Sequence, residues 1–278
     1  RPMGVPIQYR GAYWMRSGDQ LVAMTADMLK RILDEVAPDF SAEICSRATL
    51  SDLDSAAIGS FRTMWHRKSG NSALLTSSDA ELLADAELVV DGGITYAALI
   101  LFGTRPALTR LLAQAETVFE YRSSDTSGPP QQREEYRQGF FAYQDDLWNK
   151  INLRNDVQHF QHGFFVFDIP TFSEVVVREA ILNAASHRDY RLPASVMVRQ
   201  FPRRLEIVSP GGFPPGITLD NILWRQAPRN RRIAEAFSKC GLVERSGQGM
   251  NRMFEECIKE SKPPPDFSDT DDYQVSLA

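Results

Sequence analysis

Arg178-Glu179-Ala180-Ile181-Leu182-Asn183-Ala184-Ala185-Ser186-His187-Arg188-Asp189-Tyr190 is the stretch from which the rest of the chain is read. Its spacing predicts a helix in which Glu179 and Asn183, four residues apart, stack on one face one turn apart. That pairing suits a site where a carboxylate orients a water and an amide oxygen ligates a metal bound to phosphate. His187, four residues further on, either contacts phosphate or caps the helix C-terminus. Upstream, Pro170 blocks extension and Thr171-Phe172-Ser173-Glu174 fits a capping box with Thr171 as N-cap. Val175, Val176, Ala180, Ile181, Ala184 and Ala185 give the helix an apolar majority, so much of it is expected to be buried. A buried carboxylate is costly unless it is paired, hydrated or used. Glu179 therefore either pairs with Arg178 or Arg188 or serves chemistry.

Beyond this helix, Ser195 to Phe201 and Arg204 to Val208 alternate as two strands around a Pro202-Arg203 turn. Two strands beside several helices argue for an α+β layer with helices on one face. Next comes Ser209-Pro210-Gly211-Gly212-Phe213-Pro214-Pro215-Gly216. Gly and Pro this dense make a fixed loop, either a rigid turn or the floor of a ligand pocket. Residues 217–240 form a basic, helical excursion with Arg225, Arg229, Asn230, Arg231 and Arg232, which is a solvated face or a lid over phosphates. Arg229-Asn230 stands at a helix start, and helix N-termini and Arg both favour anions. Gly247-Gln248-Gly249 opens a last helix from Met250 to about Glu260, whose Met253 and Cys257 belong to a core stripe. A Gly-x-Gly at a helix N-terminus offers backbone N–H groups to a phosphate.

Toward the N-terminus, Ile7 to Arg16 alternates as an aromatic-rich hairpin with Gly11 near the turn, and a helix follows from about Thr25 to Val36. Leu53 to Trp65 has helical spacing, and Ser78-Asp79-Ala80-Glu81 is a capping box for a short helix ending near Asp85. Leu88-Val89-Val90, Asp91-Gly92-Gly93 and Ile94 to Phe102 read as strand, tight turn, strand. Helix, helix, hairpin is the outline of a winged helix, but Asp79, Glu81, Asp85 and Glu87 would repel phosphate, so packing or dimerisation is the favoured role. Ala115 to Tyr121 reads as a strand, Ser123 to Gln132 as a loop, Arg133 to Leu153 as a long helix, and Gly163 to Phe167 as a buried strand. His159 and His162 read as an unligated polar turn, since a closed zinc site wants four ligands.

Composition narrows the class. A chain of 278 residues, 43% hydrophobic and 24% charged, has the balance of a soluble protein of one or two domains. The net charge of −5 excludes a general electrostatic nucleic-acid binder. Three scattered cysteines, Cys45, Cys240 and Cys257, read as reduced, which points to a cytoplasmic protein. The longest apolar run, Tyr96 to Phe102, is too short to span a bilayer, so no membrane partner is expected. The chain opens at Arg1 as if inside a folded segment, as a piece of a longer protein would.

Four segments taken in order carry a family resemblance: 178–190; Glu-Ile-x-x-Pro-Gly-Gly at 206–212; Arg-Asn at 229–230; and Gly-Leu-x-Glu-x-x-Gly-x-Gly-Met-x-Arg-Met at 241–253. Together they resemble the RecG-related proteins and transcriptional regulators that also carry an AlbA-like, Schlafen-related N-terminal domain. Residues 1–30 look like the tail of that domain, 31–105 like the winged-helix-like middle region, and 106–278 like a GHKL-type ATPase domain, a helix/sheet sandwich. The resemblance implies ATP and Mg²⁺ as ligands. It makes Glu179 the residue that orients attacking water and Asn183 the Mg²⁺ ligand. Ser209, Gly211 and Gly212 take the place of the first glycine box, Gly247 and Gly249 the second, with His187, Arg229 and Asn230 at the nucleotide. It further implies a homodimeric, DNA-binding regulator whose DNA contacts lie outside this chain. The alternative is a non-catalytic regulator with a degenerate nucleotide pocket. The chain carries no helicase motor motif. The adenine-reading Asp of those ATPases is missing from the first glycine loop, Ser209 stands where relatives usually show Asn, and Gln248 replaces a common Thr.

Overall fold

The computed structural model describes residues 4–17, 19–34, 39–124, 128–214, 216–225, 227–243 and 248–278. In chain order the elements are β1 (Gln8–Tyr9), β2 (Ala12–Ser17), β3 (Gln20–Ala23), α1 (Ala26–Asp34), α2 (Ser55–Ser69), α3 (Asp79–Asp85), β4 (Val89–Val90), β5 (Gly93–Ile94), α4 (Tyr96–Phe102), α5 (Arg105–Leu111), β6 (Thr117–Tyr121) and β7 (Gln132–Tyr136). There follow α6 (Phe140–Asn152), β8 (Val157–His162), β9 (Phe165–Pro170), α7 (Glu174–His187), β10 (Val196–Gln200), β11 (Leu205–Pro210), α8 (Arg231–Cys240), α9 (Gly249–Lys259) and β12 (Gln274–Leu277).

The fold is α+β, built on a mixed five-stranded sheet in the order β12-β11-β10-β6-β7. Only the central β10–β6 pair is parallel. Phe119, Val198 and Ile207 share one face through the pairings Phe119↔Val198 and Val198↔Ile207. That face meets α6 and α7: Tyr143 and Thr117 hydroxyls lie 3.0 Å apart, and Ser209 Oγ donates to the Ala184 carbonyl at 3.3 Å. The opposite face carries an ion ladder in which Glu120 receives Arg122 at 2.9 Å and Arg133 at 2.5 Å, with Arg199 at 3.9 Å.

The segment from α2 to α5 is fused to this layer through a single core. Phe61 of α2 is fully buried and its ring lies 5.4 Å from Phe102 and 5.5 Å from Phe141. Phe141 in turn approaches Phe237 of α8 at 6.2 Å. Each such ring, taken out of water, contributes about 1.5–3 kcal/mol. α2 begins on Asp54, which accepts from Ala56 and Ala57 N–H, and ends on Gly70 at φ 71. The capping box of α3 is complete, with Ser78 and Glu81 bonded reciprocally.

Several sequence expectations are corrected. Ile94 to Phe102 is not a strand: β4 and β5 close over Asp91 and Gly92, both at positive φ, and then Thr95 caps α4, accepting from Ala98 N–H. Residues 97–102 are buried on every side, so their hydrophobicity shows no period that separates helix from strand. Arg133 to Leu153 divides into edge strand β7, which pairs with β6, and helix α6, whose N-cap Gly139 packs so closely that a Cβ there would come within 2.5 Å of the Phe102 backbone. Gly163 to Phe167 is not buried. Gly163 turns the β8–β9 hairpin, on which Phe165 is 70% exposed, and His159 and His162 lie in β8 rather than in a turn. The N-cap of α7 is Ser173; Thr171 instead donates to the Asp156 carbonyl at 3.0 Å. The N-terminal hairpin gains a third strand, in the order β1-β2-β3.

Candidate functional site

Helix α7 lies between the sheet and α9, with Val177, Ile181 and Leu182 buried. Its polar residues Glu179, Asn183 and His187 recur every four positions along one stripe. Glu179 is only 8% exposed. The two arginines near it in sequence are engaged elsewhere. Arg178 holds Glu174 at 2.6 Å and Asp145 at 3.2 Å, and buried Arg188 donates to the carbonyls of Gln114, Glu116 and Ala194.

What faces Glu179 is the start of α9. A Cβ on Gly249 would overlap the carboxylate, 2.6 Å from its carbon and 3.2 Å from Oε2. The glycine is thus demanded by contact, and the acidic helix touches the second glycine turn directly. One turn on, Asn183 Nδ2 sits 3.9 Å from Met253 Sδ of α9, which leaves the amide oxygen for a cation or water.

These groups border one cavity of about 190 Å³. Glu179, Asn183, Ser186, His187, Ser209 and Arg225 supply its polar lining. Ile207, Val275 and Leu277 from the sheet, with Phe213 and Phe267, form an apolar floor. The two phenyl rings are 6.3 Å apart. Ile217 and Ile222 bring the loop after β11 over the same space. A mostly apolar cleft with a few convergent polar groups is the usual form of a small-molecule site.

Of the residues picked from sequence, Glu179, Asn183, His187, Ser209 and Gly249 meet at this cavity. Gly211, Gly212, Arg229 and Asn230 are used beside it. Gly211, at φ 93, lies against the Arg229 guanidinium and the Asp189 side chain, and Gly212 against the backbone of Asp271 and Asp272. Arg229 reaches Asp189 at 3.5 Å and the Gly212 carbonyl at 2.8 Å. Asn230 is 1% exposed and its amide donates to the carbonyls of Ser186 and Arg188, so it secures the end of α7. Gly247 lies outside the described residues. Among those described, no cluster of three or more His, Cys, Asp or Glu could hold a metal, and His159 instead pairs with Asp168 at 2.6 Å. Sequence reasoning placed Phe213 in a loop read as a rigid turn or a pocket floor, but did not single out Phe267, Val275 or Leu277: that part of the floor depends on β12 lying beside β11, a long-range pairing without local signature.

The His187 imidazole is pushed down to about 4, first by burial and second by the Arg229 charge. It is neutral at physiological pH, and so is both donor and acceptor toward a ligand. Burial also lowers Arg188 from its ordinary value, though the ring of Tyr190 lies 4.8 Å below its guanidinium.

Fold and site together define a mixed-sheet domain with a cleft between two helices and the sheet, and the comparisons show what it is similar to. Residues 194–277 match the family described as "Putative ATP-dependent DNA helicase recG C-terminal". Residues 28–118 match a domain of unknown function (DUF8451). The C-terminal segment is therefore similar to that RecG-related, ATPase-like family. That match begins after α7, so it includes Ser209 and Gly249 but not Glu179, Asn183 or His187. No curated protein matches the chain. The crystal structure of the DIP2311 protein from Corynebacterium diphtheriae is similar, with a TM-score of 0.73 and 25% identity, over 96% of this chain and 52% of that one. The chain spans about half the length of that protein. Among the described residues no helix is long and apolar enough to cross a membrane.

Proposed function

We propose that this chain is the Mg²⁺-dependent ATP-binding module of a DNA-binding transcriptional regulator, of GHKL type, hydrolysing ATP slowly if at all. The observation that carries the reading is the convergence of Glu179, Asn183 and His187 with Gly249 on one cavity that has an apolar floor. The floor suits a purine, and the α9 N-terminus suits phosphate. The donor set fits the cation, since Mg²⁺ prefers oxygen ligands and the Asn183 amide supplies one. Bound there, the cation would neutralise charge on the phosphates. Glu179 would hold the attacking water and take its proton as oxygen bonds to the γ-phosphorus and the bridging P–O bond breaks. His187, neutral, would donate one hydrogen bond to a phosphate oxygen. DNA contacts and homodimerisation belong, in this reading, to the full-length protein. AlbA-like character of residues 1–30 and the division at 31–105 and 106–278 are part of the same proposal.

Titration calorimetry with Mg-ATP tests it: saturable binding is expected, with Glu179→Ala binding but not turning over. Hydrolysis by Glu179→Ala at the wild-type rate would remove the catalytic role while leaving the binding role. A second reading, a regulator whose pocket no longer binds nucleotide, is favoured by one observation. Ser209, at the sheet end of the cavity, offers a hydroxyl already donated to Ala184 rather than a carboxylate that could read a base. Absence of any heat with Mg-ATP would select it.

A further inference from the structure

The loop between β11 and α8 contains the sequence Gly216-Ile217-Thr218-Leu219-Asp220-Asn221-Ile222-Leu223-Trp224-Arg225. Asn221 ties it together. Its Oδ1 accepts from Thr218 N–H at 2.8 Å, its Nδ2 donates to the Gly216 carbonyl at 2.9 Å, and its own carbonyl accepts from Arg225 N–H at 2.9 Å. The loop is consequently a built structure with two sides. Ile217, Ile222 and Arg225 line the cavity, while Leu219 and Trp224 stay 52% and 71% exposed.

Among the described residues, Arg225 is the only Lys or Arg that lines the cavity. Its guanidinium has one hydrogen bond among them, a long one of 3.5 Å from Nη1 to the Gly216 carbonyl. A guanidinium has five N–H donors, so most of its capacity is unused by the described residues. The contrast with Arg229 is direct, because that guanidinium is already held by Asp189 and the Gly212 carbonyl.

We propose that Arg225 is the phosphate-binding residue of this cavity, and that it makes the site select nucleoside polyphosphates over uncharged nucleosides. This rests on the nucleotide reading above and adds the source of its charge selectivity. Bidentate Arg–phosphate contacts are charge-assisted and geometrically specific, so neither Gln nor Lys reproduces them.

The test measures Mg-ATP, AMP and adenosine binding to the 278-residue chain and to its Arg225→Ala, Arg225→Gln and Arg225→Lys variants. The expected result is a roughly 10- to 100-fold loss of Mg-ATP affinity in Arg225→Ala and Arg225→Gln. Adenosine binding should stay within about twofold, Arg225→Lys should recover part of the loss, and the dependence of ATP affinity on salt should flatten. Arg225 is exposed, so the variants should keep the wild-type melting temperature, and Arg225→Lys separates loss of charge from loss of side chain. Wild type that binds Mg-ATP with an unchanged affinity in all three variants overturns the role of Arg225 and leaves the nucleotide reading standing. Equal losses for ATP and adenosine overturn it too, since they mark a disturbed loop. Wild type that binds none of the three ligands overturns both.

Discussion

Gly249→Ala tests the joint between the two helices without any ligand. Gly249 has an ordinary helical backbone at the first position of α9, so in another helix alanine there would be neutral or stabilising by up to about 1 kcal/mol. Here the new methyl would overlap the Glu179 carboxylate, 2.6 Å from its carbon. Either the carboxylate turns away or the end of α9 moves, and forcing atoms into a packed site costs about 1–3 kcal/mol. Glu179→Ala removes the obstruction. In the double variant the alanine at 249 should then be tolerated, giving a coupling energy of about 1–2 kcal/mol opposite in sign to the single losses. Urea denaturation of wild type, both singles and the double supplies the four numbers. If Gly249→Ala is as stable as wild type, and its effect adds simply to that of Glu179→Ala, the carboxylate does not rest on α9 and the site geometry is wrong.

Phe61→Ala should cost about 3–5 kcal/mol, because the ring is fully buried among Trp65, Phe102 and Phe141. The loss should shift one unfolding transition seen alike by far-ultraviolet circular dichroism and tryptophan emission; two separate transitions would mean that the α2–α5 segment has a core of its own. His187 gives a pH signature. Its folded value of about 4 lies below the ordinary 6.5, so the unfolded chain binds the proton first on acidification. Stability should be full above about pH 6.5 and fall as pH drops toward 4, by about 2–3 kcal/mol in all. Urea midpoints across that range should show the slope in wild type and a shallower one in His187→Gln; equal slopes would refute the assignment.

The legible parts of the chain were those whose physics is local. α7 could be read because a four-residue polar recurrence sits on an apolar helix, and α3 because Ser78 and Glu81 satisfy each other within one turn. β7 was not, since Arg133-Glu134-Glu135 are helix formers and only pairing with β6 makes them an edge strand, charged as free edges commonly are. α4 was hidden because burial all round erases periodicity. In the site, sequence shows which groups exist but not what they touch. Arg229 and Asn230 have the composition of an anion site, yet Asp189 and the last carbonyls of α7 occupy them. Arg225, four positions earlier, reaches the cavity because Asn221 folds its loop back on itself.

A crystal structure of the chain with Mg²⁺ and a non-hydrolysable ATP analogue bears most directly on the account. It should place the base over Phe213 and Phe267 and the phosphates between Asn183, the start of α9 and Arg225. Analogue density on any other surface, or a cavity left vacant at saturating analogue, would contradict it.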